Sequence, residues 1–135
     1  MNIRCMNSAA IHIVENDVII SAVIKMRLEH LGFAIDGISK NARDAITSIS
    51  RNKPDLILMD IGLDGDMDGI EAAAAIQEMN RIPIIYLTGY TDPETVKRAR
   101  ETRPDGYIIK PFSDESLRVA ISLALAGNTA SEHLI

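Results

Sequence analysis

The chain has 135 residues, of which 47% are hydrophobic, 24% charged and 4% aromatic. That length suits one domain of the usual size, and that composition suits a packed aliphatic core rather than a disordered chain. A net charge of −5 argues against a nucleic-acid face or an acidic membrane as partner, and even the mostly apolar stretch Val119 to Ala126, broken by Ser122, falls far short of the ~18 residues of a membrane span.

Cys5 is the single cysteine, so no internal disulfide can form and a reducing compartment is expected. Nothing before Val14 reads as a secretory signal. The expected location is the cytoplasm.

Strand-like and helix-like segments alternate along the chain. Ala10 to Val14 reads as a buried strand. Ile20, Val23, Ile24, Leu28 and Leu31 then recur at helical spacing, and Gly32 stands where a helix would end. Phe33 to Ile38 is a less apolar second strand. Ala42, Ala45, Ile46 and Ile49 mark a second helix, capped by Ser39 or Asn41. Leu56 to Met59 is a third strand, closed by Asp60. A polar, Gly-rich loop follows, and Asp68 with Glu71 has capping-box spacing for a helix through about Met79. Ile82 to Leu87 is a fourth strand ending at Thr88. Asp92-Pro93 starts a fourth helix, with Pro at its first position and few apolar residues. Gly106 to Ile109 is a fifth strand ending at Lys110-Pro111. Ser113 opens a last helix, Leu117 to about Ala126.

Five strands alternating with five helices predict an α/β fold with a doubly wound parallel sheet. The strands with continuous apolar runs suit burial on both faces. A flavodoxin-like order, 2-1-3-4-5, is expected. The domain is expected over 10–126, with an extension over 1–9 and a tail over 127–135.

In such folds ligands bind beyond the carboxyl ends of the strands. There the chain sets Glu15, Asn16 and Asp17 after strand one, Asp60 after strand three, Thr88-Gly89 after strand four and Lys110 after strand five. Oxygen donors from Glu15, Asn16 and Asp60 suit a hard cation such as Mg²⁺. A carboxylate can attack phosphorus, and phosphoryl transfer asks mainly for positioning and charge neutralisation. A lysine ammonium and a hydroxyl around one Asp would contribute both.

These pieces, with Met67-Asp68-Gly69-Ile70-Glu71 between them, give the chain a resemblance to the receiver domain of two-component response regulators, across roughly residues 10–126. The resemblance implies that Asp60 accepts a phosphoryl group from a histidine of a sensor kinase or phosphotransfer protein. It implies Mg²⁺ held by Glu15, Asn16, Asp60 and the Gly62 carbonyl. It gives Lys110 the role of pairing with the phosphoryl group and Thr88 that of hydrogen-bonding it. Thr88 and Tyr107 become the conformational switch, and the Lys110-Pro111 bond is expected to be cis. The output would be a change in the face built from helix four, strand five and helix five. That face would meet a downstream target protein or a second copy in a homodimer.

Two departures are visible. The family's second acidic residue is Asn16 here, which contributes no charge. The loop from Ile61 to Met67 is about one residue longer than the common form and lacks its usual Pro. Weaker Mg²⁺ binding is the expectation, with Asp17 partly compensating. Asp64, Asp66 and Asp68 fail as a Ca²⁺ loop, because Ala75 stands where an EF-hand needs Glu. Tyr90, two residues after Thr88, is expected to slow hydrolysis of the phosphate.

No DNA-binding or catalytic output domain is expected within these 135 residues, so the signal is expected to pass by protein contact or onward phosphotransfer, with no turnover of an external substrate; a receiver excised from a longer protein is the equal alternative. The alternative is a receiver-like interaction module that is never phosphorylated, for which Asn16 is the support. A small phosphatase is disfavoured by Gly62, where such enzymes carry a general acid. A flavodoxin is disfavoured by the acidic, Gly-free turn after strand one.

Overall fold

The computed structural model describes residues 9–89 and 91–134, with side chains through 127. The expectations placed on Cys5 and Tyr90 lie outside the described residues. In chain order the elements are β1 (Ala10–Val14), α1 (Val18–His30), β2 (Ala34–Ser39), α2 (Ala42–Arg51) and β3 (Leu56–Asp60). There follow α3 (Gly69–Met79), β4 (Ile84–Thr88), α4 (Pro93–Glu101), β5 (Gly106–Ile109) and α5 (Asp114–Leu134). The strands pair in parallel in the order β2-β1-β3-β4-β5, the flavodoxin-like arrangement expected.

Alternation along the strands divides the core in two. Ile57, Met59, Ile84 and Tyr86 face α2, α3 and α4. Leu56, Leu58, Ile85 and Leu87 face α1 and α5. Every side chain of β3 and β4 is buried, as central strands of a doubly wound sheet require.

The caps follow the local chemistry. Asn41 accepts from the Asp44 N–H at the start of α2, and Asp68 and Glu71 complete a reciprocal capping box on α3. Gly32, at φ 100°, ends α1. Its N–H bonds the Glu29 carbonyl and the Phe33 N–H bonds that of Leu28, the paired closure that a left-handed residue permits.

Several details differ from the sequence reading, among them the start of β4 at Ile84 rather than Ile82. The buried stripe of α1 is Ser21, Ile24 and Leu28, while Ile20 and Val23 lie partly in solvent. The helix is apolar nearly all round, so periodicity could not select its inner face. α5 runs to Leu134 rather than ending near Ala126, since one Gly inside a helix costs only about 1 kcal/mol. β2 is shifted by one residue, to Ala34–Ser39.

The β1–β2 pair contains an irregularity between Ile11 and His12 that skips Asp36 on β2. It accompanies a buried polar chain. His12 Nδ1 lies 2.8 Å from Asp36 Oδ1, and Nε2 lies 2.7 Å from Ser39 Oγ. No buried side-chain polar atom among the described residues lacks a partner.

Candidate functional site

Strand register brings the site together. Val14 pairs with Met59, Asp60 with Leu87 and Thr88 with Ile109. Glu15, Asp60, Thr88 and Lys110 therefore stand within about one residue of a common line across four strands, at their carboxyl ends. The period of two places Glu15, Asp60 and Lys110 on the side of the sheet that carries α1 and α5.

The geometry is that of one cation serving two carboxylates. Lys110 Nζ lies 3.3 Å from Glu15 Oε1 and 3.6 Å from Asp60 Oδ1. Both carboxylates are buried, and the ammonium is about a quarter exposed. The Gly62 N–H donates to Asp60 Oδ1 at 3.1 Å, and the Asp17 N–H donates to Glu15 Oε2 at 3.1 Å. Thr88 is fully buried, and its carbonyl accepts from the Lys110 N–H at 2.8 Å. The Lys110-Pro111 peptide is cis, as expected.

Burial pushes the Glu15 carboxyl upward, and the Asp17 N–H opposes it. The Asp60 charge raises it further and the Lys110 ammonium lowers it. The site holds more carboxylate than its lysine balances, and buried charge without compensation is costly.

That imbalance is the test of whether the residues suit a divalent metal. Among the described residues no group of three or more His, Cys, Asp or Glu side chains is placed to hold a metal. Glu15 and Asp60 make a pair, and Asn16 occupies the place of a third acid. Two carboxylates with neutral oxygens still fit Mg²⁺, which keeps several waters and uses one or two protein carboxylates.

Asp17, expected to compensate in part for Asn16, is engaged in capping. Its side chain accepts from the Ile19 and Ile20 N–H groups as the cap of α1. Asp64 is the acid beside Asn16: the Asn16 Nδ2 donates to Asp64 Oδ2 at 2.9 Å, across 48 residues of sequence. Sequence reasoning weighed Asp64 only as part of a Ca²⁺ loop. The one signal pointing to it was the lengthened loop in which it sits.

That loop is tied down by its acids. Asp66 pairs with Arg43 of α2 at 2.7 Å, and Asp68 with Arg98 of α4 at 2.9 Å. Gly65, at φ 110°, turns the chain between Asp64 and Asp66. Gly69 lies so close to β3 that a Cβ there would collide with the Asp60 carbonyl.

Tyr107 is half-buried on β5, its ring edge-on to Tyr86 at 6.3 Å between centroids and 68° between planes. Burial raises its hydroxyl pKa, and the charge of Asp92 at the start of α4 raises it further. Beyond it, Tyr107, Ile109, Val119, Ala120 and Leu123 line an open groove of about 640 Å³.

Residues 11–122 match the family model described as the response regulator receiver domain. The chain is 33% identical over 114 residues to the transcriptional regulatory protein PdtaR of Mycobacterium tuberculosis, covering 84% of this chain and 55% of that one. It is 35% identical over 126 residues to the transcriptional regulatory protein ResD of Bacillus subtilis, covering 92% and 52%. The chain thus spans about half the length of these curated relatives. Among solved structures it is similar to the signal receiver domain of a modulated diguanylate cyclase from Desulfovibrio desulfuricans, at TM-score 0.87 and 32% identity, covering 92% of this chain and 98% of that one. A CheY-like receiver domain protein from Methanospirillum hungatei superposes with TM-score 0.85 at 27% identity, covering 92% and 98%. The match to the family model takes in nearly all of the sheet and its helices, and the chain belongs to the response regulator receiver domain family of two-component systems.

Proposed function

We propose that this receiver is a phosphoacceptor switch in which Asp60 takes a phosphoryl group from a phosphohistidine of a sensor kinase or phosphotransfer protein. The observation that carries this reading is the Lys110 ammonium set between the Glu15 and Asp60 carboxylates at the carboxyl ends of the strands. A carboxylate oxygen of Asp60 attacks phosphorus. The new O–P bond replaces the N–P bond, whose electron pair returns to the imidazole, and the imidazole takes a proton from solvent. Lys110 follows the charge onto the transferred oxygens, and Thr88 donates a hydrogen bond to them. Glu15, Asp60, the Asn16 side-chain oxygen and the Gly62 carbonyl would hold Mg²⁺, which supplies the remaining charge neutralisation when bound. Gly62 supplies no proton to a leaving group, so turnover of an external substrate is not part of this function.

The donor must rest on the rim of the site. α1 begins there and exposes Ile19, Val23 and Met26 at the i, i+4, i+7 spacing that suits a helical partner. On the output side, Thr88 drawn toward a phosphoryl group makes room for Tyr107 to turn inward. The groove between β5 and α5 then changes shape, biasing contact with a target protein or a second copy. The cytoplasm, where such a kinase presents its histidine, is the location this reading implies.

The test is intact-mass spectrometry after incubation with a small phosphodonor and Mg²⁺, beside Asp60→Asn and metal-free controls. One added phosphoryl group that needs both Asp60 and Mg²⁺ is the expected result. No addition from either the small donor or a phosphorylated histidine protein would overturn the reading in favour of an unphosphorylated interaction module.

A further inference from the structure

An asparagine ligand poses a problem that a carboxylate does not. Either oxygen of a carboxylate can face a cation, but only one of the two branches of an amide can. The other branch carries two N–H donors and repels a cation. An Asn at a metal site therefore works only if something fixes its amide the right way round.

Asp64 is placed to do this. A carboxylate only accepts hydrogen bonds, so the Asn16 atom facing it must be Nδ2. The structure has that arrangement, Nδ2 to Asp64 Oδ2 at 2.9 Å. Oδ1, the opposite branch of the planar amide, is directed away from Asp64. The placement of Asp64 is itself built. Gly65 makes the turn beside it with a positive φ, and the Asp66–Arg43 and Asp68–Arg98 pairs anchor the loop on both sides of the molecule's carboxyl edge. The lengthened loop and the exchanged ligand, the two departures from the family pattern, meet in this one hydrogen bond.

We propose that Asp64 is a positioning residue of the cation site, holding the Asn16 amide by Nδ2 so that Oδ1 is presented to the metal. It also sets, one hydrogen bond away, the negative charge that Asn16 lacks. The proposal rests on the reading of Glu15, Asn16 and Asp60 as the Mg²⁺ site. Outer partners of this kind are worth roughly 10–100-fold in metal affinity, and an exposed pair belongs at the low end.

The measurement is Mg²⁺ titration of the unphosphorylated protein by calorimetry, for Asp64→Ala in two backgrounds. With Asn16 present, the substitution weakens Mg²⁺ binding about 10-fold. In the Asn16→Asp background there is no amide to orient, and the same substitution weakens it only about 2-fold, the residue of a lost nearby charge. Asp64→Asn, which keeps an acceptor but no charge, falls between wild type and Asp64→Ala. Unchanged thermal unfolding and circular dichroism establish that each variant is folded. Equal losses in both backgrounds, or no loss with Asn16 present, overturn the positioning role while leaving the metal site standing. Mg²⁺ binding that is absent, or unaffected by Glu15→Gln, overturns the site reading and this role with it.

Discussion

Helix α3 buries Gly69, Ile70, Ala72, Ala73 and Ile76, whereas α4, on the same face of the sheet, buries Ala99 of its nine residues. α4 is held instead by polar ties. Asp92 caps it, Arg98 reaches Asp68, and Thr102 at its end bonds the Tyr86 hydroxyl at 2.6 Å. Apolar burial resists displacement in proportion to area. The Asp92 cap and the Arg98–Asp68 pair are solvent-accessible and can be exchanged for water at little cost. One helix is thus a fixed reference and the other can shift. α3 follows directly from the loop after Asp60, and α4 directly from the loop after Thr88. In the proposed function, a phosphoryl group on Asp60 acts on the yielding helix through Thr88.

That contrast can be broken by experiment. The largest expected effect lies in α3: Ile76→Ala, at a fully buried position, should cost about 2–5 kcal/mol in chemical denaturation. A cost no larger than that of Val96→Ala in α4 would erase the distinction between the helices.

An intermediate effect belongs to the Tyr86–Thr102 tie. Burial pushes the Tyr86 hydroxyl up to about 12, from an ordinary value of 10.0. The unfolded chain loses this proton first. The stability contribution is thus present below about pH 10 and is lost as pH rises toward 12. Tyr86→Phe should flatten that alkaline decline and cost about 1 kcal/mol at neutral pH for the lost hydrogen bond. Some decline should persist, because Tyr107 is also raised. An identical alkaline profile in Tyr86→Phe would show that the hydroxyl is not the group concerned.

The smallest effect on stability is expected from Arg98→Ala, which removes an exposed pair worth under about 1 kcal/mol. Its consequence should be local. Amide exchange in α4 should speed up while that of α3 stays near its original rate, since the Asp68 capping box survives. Equal acceleration in both helices would sharpen the picture differently, making Arg98 a tie between them rather than an anchor for α4.

The same physical distinction governs how much could be read in advance. Strand and helix order, the caps at Asn41, Asp68 and Asp92, and the turn at Gly32 depend on neighbours a few residues away. Each leaves a local mark. Asp60, Glu15, Thr88 and Lys110 were found because each closes a strand, and a parallel sheet gathers such ends at one edge. The inner face of α1 left no such mark. Apolar residues surround that helix, and only contact with the sheet decides that Ile24 and Leu28 are buried while Ile19 and Met26 are not.

The sequence by itself therefore determined the architecture and the polar residues at the strand ends, because periodicity, capping and strand ends are short-range properties; the resemblance to receiver domains added the phosphoacceptor candidate and the departure at Asn16. The tertiary structure alone decided which acids serve which partners. His12 is bound to Asp36 and Ser39, across 24 and 27 residues, and Asn16 to Asp64, across 48. Asp17 faces its own helix. These choices depend on strand register and on one turn at Gly65, and no window of neighbouring residues carries that information.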